Sequence, residues 1–127
     1  MTLDPAQLAE QGKRAFQEKK FKEAVGLFKQ AADGFASGRN GLMAAEMQNN
    51  MSVALLHAGN PQEALNAALG TDVLFAGAHD LKRQAMALGN QAAALDALKQ
   101  YDEAIEKYER SAALFDQAGE GDLRAMV

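Results

Sequence analysis

Phe21-Lys22-Glu23-Ala24-Val25-Gly26-Leu27-Phe28 is answered forty residues later by Pro61-Gln62-Glu63-Ala64-Leu65-Asn66-Ala67-Ala68. It is answered again by Tyr101-Asp102-Glu103-Ala104-Ile105-Glu106-Lys107-Tyr108. The Glu-Ala pair recurs in register each time, and Phe35, Phe75 and Phe115 follow at the same interval. A fixed period of this size marks a stack of short supersecondary units, none able to bury its apolar face alone. Stacks of this kind present surfaces to partners more often than they carry out chemistry.

Apolar residues recur at helical spacing along nearly the whole chain. Pro5 opens a first helix with Asp4 as N-cap, running to about residue 18. A second helix is predicted over 21–36, with an apolar stripe of Ala24, Val25, Leu27, Phe28, Ala31 and Phe35. The glycines of Ser37-Gly38-Arg39-Asn40-Gly41 suit a left-handed helix end. A third helix spans about 42–58. A fourth runs from Pro61, capped by Asn60, to Phe75, with Gly70 inside it at a cost of about 1 kcal/mol. A fifth covers about 81–99 after an Asp80 cap, and a sixth about 102–117. Gly119 and Gly121 form a further joint, and residues 122–127 begin a seventh helix. Its Leu123 and Met126 only partly cover Ile105, Tyr108, Ala112 and Phe115, so the chain either continues or meets another molecule there.

The bulk numbers agree with helices. Hydrophobic residues make up 48% of the chain but aromatics only 6%, and alanine supplies much of the difference, which favours close helix packing over a β-sandwich. The net charge is −4, which disfavours nucleic acid as a partner. That charge is uneven: +2 over residues 1–40, −4 over 41–80 and −2 over 81–127. Lys19, Lys20 and Lys22 solvate a turn, or alternatively dock an acidic partner. There is no cysteine to form a disulfide or a thiolate site. No apolar run reaches the roughly 18 residues of a membrane span, and the first twelve residues lack the pattern of a signal peptide. A soluble, cytoplasmic protein without membrane insertion is expected.

At the turn of each unit the residues resemble the tetratricopeptide repeat family. Its slots read Gly12, Phe21, Ala24, Phe28 and Ala31 in the first unit, and Ala92, Tyr101, Ala104, Tyr108 and Ser111 in the third. The second reads Ser52, Pro61, Ala64, Ala68 and Thr71, a looser match. The usual unit is about 34 residues. Forty is similar to the extended repeats of kinesin light chains and of bacterial peptide-responsive regulators. The resemblance implies an all-α, right-handed α-solenoid of three helix-turn-helix repeats (1–40, 41–80 and 81–120) in a single domain, with 121–127 as the start of a capping or further helix.

It also implies a role: a protein–protein interaction module or scaffold that takes a peptide or helix of a partner protein in its concave groove. Carrying the helix register over, that groove is lined by Ala6, Ala9, Glu10, Lys13 and Gln17 from the first unit. Glu46, Asn49, Asn50, Val53 and His57 follow from the second, and Met86, Gly89, Asn90, Ala93 and Ala97 from the third. Asn50 and Asn90 share one slot forty residues apart, and a primary amide matches the donor and acceptor of a peptide backbone. Each could instead bond a neighbouring helix. The two-carboxylate clamp of chaperone-binding relatives is not reproduced, since Ala9, Lys13, Met86 and Asn90 fill four of its slots and only Asn50 fits.

Met43, Met47, Met51 and Met86 serve either core filling, with Met51 the clearest instance, or a plastic groove. His57 and His79 lie in different units without metal-ligand spacing, and Asp102-Glu103 stands at a helix start where capping explains it. No catalytic residue, metal or cofactor is therefore expected, and the chain reads as a non-enzyme. The alternative function is self-assembly, a homodimer formed through the C-terminal helix face.

Overall fold

The computed structural model describes residues 3–126, with side chains described for 3–119. Among them are seven helices and no strand: α1 (Pro5–Gln17), α2 (Phe21–Ser37), α3 (Gly41–His57), α4 (Pro61–Ala68), α5 (Thr71–Gly77), α6 (Leu81–Ala97) and α7 (Tyr101–Met126). No described helix is long and apolar enough to cross a membrane.

The forty-residue period is built from twenty-residue steps. Helices begin at residues 21, 41, 61, 81 and 101, and the turn before each contains one left-handed residue: Lys19, Arg39, Gly59, His79 and Lys99. At each turn the next N–H reaches back five residues, as in Lys20 N–H to the Ala15 carbonyl at 2.8 Å and Gln100 N–H to Leu95 at 2.9 Å. This is the Schellman closure, which satisfies carbonyls that the helix end would otherwise orphan. Glycine was expected to take the left-handed position in the second turn. Arg39 takes it instead, at φ 61°, while Gly38 keeps a negative φ and Gly41 is helical.

Helix starts follow the expected chemistry at two caps. Asp4 accepts from Gln7 N–H at 2.8 Å while Gln7 Oε1 accepts from Asp4 N–H, completing a capping box. Asp80 accepts from Arg83 N–H at 3.0 Å. Asn60 occupies the N-cap of α4 but makes no capping bond there.

Two expected boundaries are corrected. The single fourth helix over 61–75 is broken: Leu69 is extended (φ −60°, ψ 131°) and Gly70 is left-handed (φ 86°), which separates α4 from α5. The break is supported by one partner beside it and one far away in sequence. Thr71 Oγ1 and Gln91 Nε2 both donate to the released Ala68 carbonyl, at 2.7 and 3.0 Å. At the other end, no joint forms at Gly119 and Gly121, and α7 passes through both without interruption. Two glycines cost a helix about 1 kcal/mol each, and no proline or competing cap stops it there. The expected covering by Leu123 and Met126 lies outside the described side chains.

The helices pack largely in chain order: α1 on α2, α2 on α3, α3 on α4, α4 and α5 on α6, and α6 on α7. Alanine dominates the buried apolar set, with Phe28, Met47, Leu55, Leu65, Phe75, Leu88 and Leu95 as its large members. The buried methionine is Met47. Met51 is only partly buried, at the junction of the two larger core clusters. Small side chains at the repeat slots permit close helix approach. A Cβ on Gly12 would sit 2.7 Å from Phe28 Cε1, and Ser52 and Ser111 donate across to the carbonyls of Ala64 and Ala85.

Candidate functional site

α1, α3 and α6 carry the residues that the sequence assigns to a groove, and two cavities open along them. The first, of about 230 Å³, is lined by Lys13, Phe16, Gln17, Phe28, Asn50 and Val53. The second, of about 100 Å³, is lined by Glu46, Asn49, Asn50, Val53, Phe75, Arg83, Met86 and Asn90. Asn50 and Val53 belong to both and form the sill between them. The helical period places these two residues three apart, on one face of α3.

The two repeat-related asparagines have different circumstances. Asn90 Nδ2 donates to Asn49 Oδ1 at 2.8 Å. Asn49 is itself buried and donates to Thr71 Oγ1 at 2.8 Å and to the Ala45 carbonyl at 3.1 Å. Asn90 thus heads a chain that runs through Asn49 and Thr71 to the Ala68 carbonyl, at the break between α4 and α5. Gln91 joins from the other side. It donates to Ala68 and to Asp72 Oδ1, and accepts from Lys107 Nζ at 2.9 Å. Asn50 is half-buried and has no side-chain hydrogen bond among the described residues. Its amide is therefore available to a ligand while that of Asn90 is partly committed.

Charge enters at the mouth of the second cavity. Arg83 lies 3.0 Å from Asp80 Oδ2 and 3.4 Å from Glu46 Oε1. The Arg83 backbone N–H bonded to Asp80 holds that carboxyl below the usual carboxylate range. The Asp80 hydrogen bond, followed by the Glu46 charge, pushes the Arg83 guanidinium upward. At the first cavity, Lys13 approaches Glu10 at 3.5 Å in an exposed pair worth a few tenths of a kcal/mol.

Not every expected groove residue meets the others. Lys13, Gln17, Glu46, Asn49, Asn50, Val53, Met86 and Asn90 line the two cavities. Glu10 instead lines a shallow depression along α1 with Ala6, and Ala9 is buried in the core. Ala93 is half-buried and lines neither cavity. His57 is exposed at the end of α3 and stacks on Phe21, with centroids 5.0 Å apart and Phe16 edge-on at 5.3 Å. It pins the α1–α2 turn to α3. Sequence reasoning missed Phe16, Phe28, Phe75 and Arg83 as lining of the two cavities. Arg83 had a usable signal, because it falls on the exposed side of α6, one turn before Met86 and two before Asn90.

Among the described residues no group of three or more His, Asp or Glu side chains could hold a metal. Compared with protein-family models and with curated proteins, the chain matches none.

Proposed function

We propose that this chain is a right-handed solenoid of three extended tetratricopeptide-like repeats, a non-enzymatic scaffold that holds a peptide segment of a partner protein in the α1–α3–α6 groove. The observation that carries this reading is the uncommitted amide of Asn50 on the sill between two apolar-floored cavities. An extended peptide laid along the groove would exchange backbone hydrogen bonds with that amide. Its alternate side chains would then enter the cavities on either side. Phe16, Phe28 and Val53 offer the first cavity an apolar wall, and Phe75 and Met86 the second. The chemistry asks for no cofactor, and a cytoplasmic setting suits a cysteine-free protein.

The test is selection of binding peptides from a random display library, followed by affinity measurement on variants. Asn50→Ala and Val53→Asp are expected each to weaken the selected peptides tenfold or more. Selected peptides indifferent to both would overturn the groove reading.

A second reading, self-assembly, draws on one specific observation: an exposed apolar stripe on α7. Sedimentation across a wide concentration range tests it, and a monomer throughout would remove it.

A further inference from the structure

The outer face of α7 carries Tyr101, Ile105, Tyr108 and Phe115 at 54, 54, 43 and 45% exposure, with exposed Ala112 completing the row. Their spacing of four, three, four and three places them in one line about 21 Å long. The repeat shows what this line is for. The equivalents of Tyr108 are Phe28 and Ala68, at 2 and 0% exposure, and the equivalent of Phe115 in the second unit is Phe75, at 2%. Leu65, the equivalent of Ile105, is 9% exposed. In the first unit α3 packs on α2, and in the second α6 packs on α4 and α5. The same positions on α7 therefore form a seat shaped for one more helix.

Charge selects which helix. Asp102, Glu109 and Asp116 are exposed and seven residues apart, so they form a single edge beside the stripe. The equivalent edge is Lys22, Lys29 and Ala36 on α2, and Gln62, Leu69 and Ala76 in the second unit. Only the open seat has three carboxylates. Within the stripe, burial first and then the nearby Asp96 carboxylate push the Tyr108 phenol upward.

A second copy fits poorly. Antiparallel pairing of two α7 helices would set carboxylate edge against carboxylate edge, and like charges in that position repel. The outward residues of α1, including Gln7, Glu10, Lys13 and Gln17, supply no apolar row to fill the seat head-to-tail.

We infer that the α7 face is a second docking site, independent of the groove, for an amphipathic helix of a partner protein with an apolar stripe and a Lys/Arg edge at heptad spacing. Leucine or isoleucine knobs fill the row between Tyr101 and Phe115, and the basic edge pairs with Asp102, Glu109 and Asp116.

The probes are two designed helical peptides with the same heptad leucines. One carries lysine along its flanking edge, the other glutamate. The lysine peptide is expected to bind at least tenfold more tightly, with affinity that falls as salt rises. Ile105→Glu should abolish that binding, which separates the seat from general attraction to an acidic protein. The triple variant Asp102→Lys/Glu109→Lys/Asp116→Lys changes only exposed positions, and should reverse the preference with helical content retained and a melting temperature only slightly lowered by the cation placed in the first turn of α7. Asn50→Ala should leave both affinities unchanged. Equal binding of the two peptides, binding of neither, a preference that survives charge reversal, or a wild-type dimer dissolved by Ile105→Glu would each overturn the proposal.

Discussion

The side-chain amide of Asn90 donates to the side-chain oxygen of Asn49, 2.8 Å away and forty-one residues earlier in the chain. That bond ties α6 to α3, and through Asn49 and Thr71 it reaches the Ala68 carbonyl freed where α4 ends. A polar chain of this kind is stabilising only while every member is satisfied. Among the described side chains, no buried nitrogen or oxygen lacks a partner.

Asn49→Ala removes one acceptor and two donated bonds at once. It should destabilise the protein by about 2–3 kcal/mol, because Thr71 and the Ala45 carbonyl lose a donor in a buried site. Asn90→Ala should cost less, about 1 kcal/mol, since Asn90 is only half-buried. Asn50→Ala should leave stability nearly unchanged. Urea melts of the three variants check the order, and equal losses for Asn50 and Asn90 would contradict the asymmetry.

Three glycines should respond to alanine in three ways. Gly70→Ala meets no atom within 4 Å, so its cost of about 1–2 kcal/mol comes from the left-handed backbone alone. Gly12→Ala forces a Cβ against Phe28 and should cost about 1–3 kcal/mol by overpacking. Gly26→Ala sits in open space inside α2 and should stabilise by about 0.5–1 kcal/mol. Thermal denaturation separates them by sign and size.

How far the sequence carried the fold follows from these same residues. Helix starts were legible because Asp4, Pro5, Pro61 and Asp80 act locally. The break at Leu69-Gly70 was not, because its partners, Asn49 and Gln91, lie some twenty residues away and a single glycine tolerates either outcome. In the turn over 37–41, propensity assigns the left-handed position to glycine. Lys19, Arg39, His79 and Lys99 hold that geometry because the Schellman bonds and the packing of successive helices impose it. Along α3, register places Glu46, Asn49, Asn50 and Val53 at the two cavities, while His57 stacks on Phe21 instead. Register could not tell that Asn90 turns towards Asn49 while Asn50 does not.

Replacing a strained turn residue should expose that imposed geometry. Lys99→Gly relieves a non-glycine left-handed residue and should raise stability by up to about 1 kcal/mol. Gly59→Ala should lower it by a similar amount, since Gly59 stands in the same turn position at φ 87°. Chemical denaturation of the pair is the check, and opposite signs are expected.

The Asp80 cap gives the stability a pH signature. Its folded-state pKa lies below the ordinary value, so the stabilisation is present above the unfolded carboxylate pKa and is lost as pH falls through the folded one. Asp80→Ala should cost about 1 kcal/mol near neutrality. The gap from wild type should shrink below about pH 4. A gap unchanged between pH 7 and pH 3 would show that the carboxylate charge at the start of α6 contributes nothing.

The most direct measurement is the affinity of one display-selected peptide for the wild type, Asn50→Ala and Asn90→Ala, with melting temperatures recorded on the same samples. Peptide binding in the groove requires Asn50→Ala to lose at least tenfold in affinity without losing stability. Asn90→Ala should lose stability with a smaller change in affinity. A peptide that binds Asn50→Ala as tightly as wild type would contradict backbone recognition by this amide and leave the groove without its ligand.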